Sequence, residues 1–171
     1  LRITMEEDTV ESYFGMRKYG LKSENGRKVL TLNGEKIFHL GVLDQGYWPE
    51  SNLTPVSEEA MVFDITELKQ LGFNTIRKHI KIEPLYWYYL CDKLGMIVWQ
   101  DMISGGKALN LFHAGVLPNA QSFLSPLVYL SMKDNKYKLF HRDRIEWRTQ
   151  FEAELFEMID ALYNVPCIGT W

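Results

Sequence analysis

"LKQLGFNTIRKHI", residues 68–80, and "LCDKLGMIVWQD", residues 90–101, share one grammar. Each leaves a helix-like stretch through Leu-Gly and enters a short apolar run that finishes on charged or amide residues. Gly72 and Gly95 suit the position just past a helix end, where positive φ is wanted. Upstream of the first junction, Ser57 is placed to cap a helix whose first turn carries Glu58 and Glu59, favourable beside the positive end of the helix dipole. Met61, Ile65, Leu68 and Leu71 then recur at helical spacing. Pro84 opens a second helix that ends at Leu94. A third is expected with Asp143 as its cap and Trp147, Phe151, Leu155, Met158 and Leu162 on one stripe. Asn164 and Pro166 stop it before "CIGTW", residues 167–171. From about residue 36 the order is therefore β-α-β-α-β, a long loop, then α-β. Short helix-to-strand links imply parallel strands with right-handed crossovers, so the fold class is α/β. A doubly wound open sheet and a (β/α)₈ barrel both fit. No Gly-x-Gly-x-x-Gly follows the first strand, which counts against dinucleotide binding.

The first third reads differently. "TVESYFGMRKY" (9–19) and "KVLTL" (28–32) are rich in β-formers, and Asn33-Gly34 supplies the pair that a type I′ hairpin turn requires. "KIFHLGVLD", residues 36–44, reads as one further strand. Of the 171 residues, 46% are hydrophobic and 24% charged, so a single substantial core is within reach. A net charge of −3 with no concentrated basic stripe gives no reason to expect a nucleic-acid partner; "KDNKYKLFHRDR", residues 133–144, interleaves acids with its bases. No run is long and apolar enough to suggest a membrane partner. The two cysteines, Cys91 and Cys167, read as buried free thiols, with neither Cys-x-x-Cys nor His-Glu-x-x-His to suggest zinc. No metal and no cofactor is expected. The compartment stays open, with a secreted or periplasmic location weighed ahead of the cytoplasm because a leader could lie upstream.

In either architecture ligands sit at the carboxyl ends of the strands. The first strand ends in Asp44-Gln45. On the second, period-2 alternation puts Thr75, Arg77 and His79 on one face and Ile76 and Ile80 on the other. On the third, Ile97, Trp99 and Asp101 share a face opposite Met96, Val98 and Gln100. One charged strand end is ordinarily a turn residue or half of an ion pair; three strands in succession point to a binding site. The irregular stretch of about residues 103–142, with Gly105, Gly106, Phe112, His113, Phe123, Tyr129 and Tyr137, suits a wall or lid over a sugar-sized pocket. A disordered insertion is the plainer alternative.

"YFGMRK" (13–18), "LNGEKIFHLGV" (32–42), "LKQLGFNTIRKH" (68–79) and "WYYLCDKLGMIVWQDM" (87–102), in this order and at this spacing, resemble glycoside hydrolase family 2, the β-galactosidases, β-glucuronidases and β-mannosidases. The likeness covers about residues 9–102 and resumes in "NVPCIGTW", residues 164–171. By resemblance, residues 1–34 are the end of an immunoglobulin-like sandwich and residues 35–171 are strands 1–4 of a catalytic TIM barrel. The resemblance also implies a retaining exo-β-glycosidase. Its acid/base glutamate, which follows Asn past strand 4, and its nucleophile near strand 7 would both lie beyond Trp171, so the chain alone is expected to be inactive. Asp44, Gln45, Arg77, His79, Trp99 and Asp101 become the expected substrate-binding residues, with a carbohydrate as partner. Exposed barrel edges would favour self-association.

The chain departs from the family where specificity is set. Leu43-Asp44-Gln45 stands where many members have Asn-Arg-His, and Arg77-Lys78-His79-Ile80-Lys81-Ile82 stands for Arg-x-Ser-His-Tyr-Pro. Gln100-Asp101 is nearer the Trp-Gln-Asp of β-mannosidase-like sequences than the Asp-Glu of the others. Galactose, glucuronate and mannose all stay open, as does a non-catalytic carbohydrate-binding or assembly module.

Overall fold

Leu40 and Phe38 are where the chain turns from hairpins to crossovers, and one side chain makes the break. Asn74 accepts from the Leu40 N–H (2.9 Å) and donates to the Phe38 carbonyl (2.8 Å), taking backbone groups that a continuous strand would give to a ladder. The expected strand over 36–44 is therefore two: β5 (Glu35–Lys36) and β6 (Gly41–Asp44). The computed structural model describes residues 1–105, 112, 116, 119, 120 and 137–171. Gly106, His113, Phe123 and Tyr129, part of the expected lid, lie outside the described residues.

Before the break come β1 (Arg2–Met5) and β2 (Asp8–Glu11), an antiparallel pair, and then a meander of β3 (Tyr19–Glu24), β4 (Arg27–Leu32) and β5. Residues 12–18, expected as strand, are not one. Asn33 and Gly34 adopt φ of 54° and 86°, the turn that the sequence announces. Asn25-Gly26 (50° and 77°) makes the same turn between β3 and β4, and its signal was equally legible.

After the break, β6, β7 (Thr75–Lys78), β8 (Ile97–Gln100) and β9 (Ile168–Thr170) form a parallel sheet in the order β6-β7-β8-β9. Helices α1 (Glu58–Gln70) and α2 (Leu85–Leu94) make the first two crossovers. The Ser57 hydroxyl accepts from the Ala60 N–H, as a cap should, and Gly95 closes α2 at φ 69°. Helix α3 (Ile145–Leu162) begins one residue later than a cap at Asp143 would place it. Leu71, expected on the apolar stripe of α1, ends that helix 72% exposed.

In-register pairing sorts the sheet into two faces. Val42, Ile76 and Val98 are neighbours, and so are Asp44, Lys78 and Gln100. This face packs against Tyr88, Leu90 and Cys91 of α2 and Met61 and Ile65 of α1, which supply the buried core. Leu43, Arg77 and Trp99 share the other face and are exposed. A doubly wound sheet covers both faces with helices; among the described residues the strand order never reverses and the second face has no helix. At its amino end that face is closed, because Tyr19 and Ile97 crowd Gly169.

Two compact units result: Leu1–Ile103 with Met158–Trp171, and Ser104–Glu157. In the second, Arg142 donates to the carbonyls of Ser104 and Gly105 and lies 5.0 Å from the Phe151 ring centre. Arg148 lies 4.9 Å from the ring of Tyr137.

Candidate functional site

The carboxyl ends of β6, β7 and β8 are joined beneath by a buried ion network. Lys78 is 1% exposed, and its ammonium donates to Asp44 Oδ2 (2.6 Å) and Glu83 Oε1 (2.7 Å) and sits 4.4 Å from the Trp87 ring centre. Lys81 shares the same Glu83 oxygen at 2.8 Å and donates to the Gly46 carbonyl. Gln100 completes the network, accepting from Tyr88 Oη (2.7 Å) and donating to the Lys81 carbonyl (2.8 Å). Burial pushes the Tyr88 phenol above its ordinary range, so it stays a donor. Two cations against two carboxylates leave this interior balanced, the condition for carrying buried charge. The loops after β6 and β7 are locked together, and Gly46 (φ 65°) fits only as glycine: a Cβ there would lie 2.5 Å from Glu83 Oε1.

Above the network lies a hollow of about 400 Å³, lined by Gln45, Tyr47, Leu53, His79, Ile80 and Ile103 among others. Gln45 Nε2 and His79 Nδ1 meet at 3.2 Å. On the same face, one layer further in, Arg77 holds Asp101 through Nε at 3.0 Å and Nη2 at 3.0 Å. The Asp101 carboxylate pushes the Arg77 guanidinium above its ordinary range, so it keeps its charge. Trp99 stands beside Arg77 in register, its Nε1 donating to His39 Nδ1 at 2.9 Å. Burial lowers the His39 pKa, which favours the neutral ring that this bond needs.

Of the six expected residues, the structure thus brings Gln45, Arg77, His79, Trp99 and Asp101 to one face. Asp44 is separated from them. It belongs to the helix-covered face, engaged with Lys78 and with the Gly46 N–H at 2.7 Å. Sequence reading missed Lys78, Lys81 and Glu83. Lys78 has the parity of Ile76, and that alone could have flagged it. Ile80, expected on the helix side with Ile76, lies past the strand end at φ 48° and is 42% exposed. No cluster of His, Cys, Asp or Glu able to hold a metal ion occurs among the described residues, and none of the helices there is long and apolar enough to cross a membrane. Cys91 and Cys167 are free and buried.

No family model matches the chain. Over 142 residues it is 28% identical to a β-galactosidase of Yersinia enterocolitica, covering 80% of this chain and 13% of that protein. Over 155 residues it is 29% identical to a β-galactosidase of Lactococcus lactis, covering 88% and 14%. The chain therefore spans roughly one seventh of the length of these curated relatives. Among solved structures, a family 2 β-galacturonidase from Eisenbergiella tayi matches 94% of the chain and 22% of that enzyme, with a TM-score of 0.60 and 22% identity. A β-glucuronidase from Parabacteroides merdae matches 62% of the chain and 14% of that enzyme, at 0.51 and 23%. These structures give the fold: an α/β segment of the kind glycosidases carry. In sequence the chain is similar to a part of these β-galactosidases, and in fold to a part of these family 2 enzymes.

Proposed function

We propose that the chain forms strands 1–4 of the TIM barrel of a retaining exo-β-glycosidase, preceded by the end of a sandwich domain over residues 1–34. It would hold a terminal β-linked galactosyl, glucuronyl or mannosyl residue at its strand ends. The observation that carries this reading is that Trp99 and the Arg77–Asp101 pair lie on the exposed face of a parallel sheet whose carboxyl end, where such folds bind ligands, opens on a hollow lined by Gln45 and His79. Trp99 offers a face for a sugar ring. Arg77, Asp101, Gln45 and His79 offer donors and acceptors for its hydroxyls. Asp44 is a support, acting through Lys78.

These 171 residues hydrolyse nothing by themselves. Retaining chemistry needs two carboxyl groups about 5 Å apart. The two strand-end aspartates, Asp44 and Asp101, belong to opposite faces and each is held by a cation. The catalytic pair is assigned, by family resemblance, to sequence beyond Trp171. Nitrophenyl β-galactoside, β-glucuronide and β-mannoside should all survive the purified chain. Methyl β-glycosides of the same sugars should bind it weakly and shift the Trp99 and His79 resonances. Turnover would refute the split of roles, and failure of all three sugars to bind would refute the site.

A further inference from the structure

The break between β5 and β6 fixes one side chain in particular. Asn74 grips the backbone on both sides of His39, donating to the Phe38 carbonyl and accepting from the Leu40 N–H. The Asn74 amide is itself held, because Thr75 Oγ1 donates to its oxygen at 2.9 Å. The Leu40 carbonyl then accepts from the N–H groups of Asn74 and Thr75, at 2.9 and 3.2 Å. His39 is thereby anchored to the start of β7. Its ring meets Trp99 of β8, with β7 between that strand and β6. Trp99 Nε1 donates to His39 Nδ1 at 2.9 Å, and the two ring centres are 5.5 Å apart at 56°. A ring that accepts at Nδ1 carries its proton on Nε2. His39 Nε2 is buried and has no partner among the described residues, so nothing there favours a charged imidazole. His39 is therefore a fixed acceptor for the indole.

We infer that His39 is a positioning residue for the sugar site: held by Asn74, it fixes the Trp99 indole in the orientation that receives a sugar ring. The inference rests on the sugar-site reading above, in which Trp99 supplies that face. An indole left to turn about its side-chain bonds would have to be ordered by each ligand, and affinity would fall by that cost. The strand break gains a purpose as well, since the two backbone groups that Asn74 takes from the ladder are those flanking His39.

The test follows two quantities in the chain and its variants. One is the Trp99 indole N–H resonance, and the other is affinity for methyl β-glycosides of galactose, mannose and glucuronic acid. His39→Leu should move the indole signal to that of a water-exposed tryptophan. It should also weaken binding by about fivefold, the scale of one side chain ordered by the ligand. His39→Asn, with an oxygen about where Nδ1 stands, should restore the indole signal and most of the affinity. Asn74→Ala should act in the direction of His39→Leu. In a Trp99→Phe background, which keeps a ring and drops the donor, His39→Leu should change affinity no further. His39→Phe, which fills the space and offers no acceptor, replaces His39→Leu should the latter not fold. Glycosides that bind the unaltered chain and the acceptor-less variant equally well overturn the inference and leave the sugar site standing. Equal losses from Leu and Asn, or a loss that persists in the Phe background, mark a merely structural role and overturn it too. If no glycoside binds the unaltered chain, both readings fall.

Discussion

The parallel sheet carries an ion pair at its carboxyl end on each face, and the two pairs have opposite fates. On the helix-covered face Lys78 and Glu83 are 1% and 2% exposed, with both lysine ammoniums gathered on one Glu83 oxygen and a backbone loop hung from Lys81. On the other face the Arg77 side chain is half exposed where it meets Asp101. The same chemistry thus fixes geometry where water is excluded and stays available to a ligand where it is not. Desolvation decides which: breaking a buried pair strands a charge, whereas an exposed pair trades its partner for water at little cost.

Substitutions on the two faces should separate accordingly. The largest effect is expected from Glu83→Ala, which leaves Lys81 without a carboxylate and Lys78 with Asp44 alone. It should cost about 3–5 kcal/mol in urea unfolding, and a loss under 1 kcal/mol would mean that water reaches the network. Gly46→Ala comes next, at about 2 kcal/mol, from the left-handed backbone and the contact with Glu83; sugar binding should weaken with it because the loop must shift. Arg77→Ala and Asp101→Asn should leave Tm nearly where it was while abolishing methyl β-glycoside binding. Equal damage to stability from both faces would erase the distinction.

The smallest effect is one of pH. Burial lowers His39 below its ordinary value of 6.5, so the unfolded chain binds the proton more readily. The contribution of His39 is therefore whole above that value and is lost as pH falls through the depressed one. The Trp99 indole should lose its acceptor over the same interval, seen as a fluorescence change that His39→Gln removes.

What the sequence disclosed and what it withheld divide along the same line. Helix α2 was legible to the residue, because Pro84 and Gly95 punctuate locally. The turn at Asn33-Gly34 was legible for the same reason. The split of residues 36–44 was not, since its cause is Asn74, far along the chain. Arg77, Trp99 and Asp101 were grouped correctly by alternation. Asp44 and Gln45 share a strand end, but adjacent residues on a strand face opposite ways. A lysine between Arg77 and His79 looks solvated, so nothing local marks Lys78 as buried. Only a carboxylate five residues on, returned by the loop to the same interior, makes its burial tolerable.

Arg17 gives the fold a timetable. Its guanidinium donates to the carbonyls of Val165 and Ile168, partners 148 and 151 positions downstream. A polypeptide emerging from the ribosome therefore exposes this strap long before its acceptors have been synthesised. Contacts of such separation slow folding, so β9 is the late event that lets the amino-terminal segment dock. Until then the nascent sheet has an unpaired edge at β8, open to pairing with another chain.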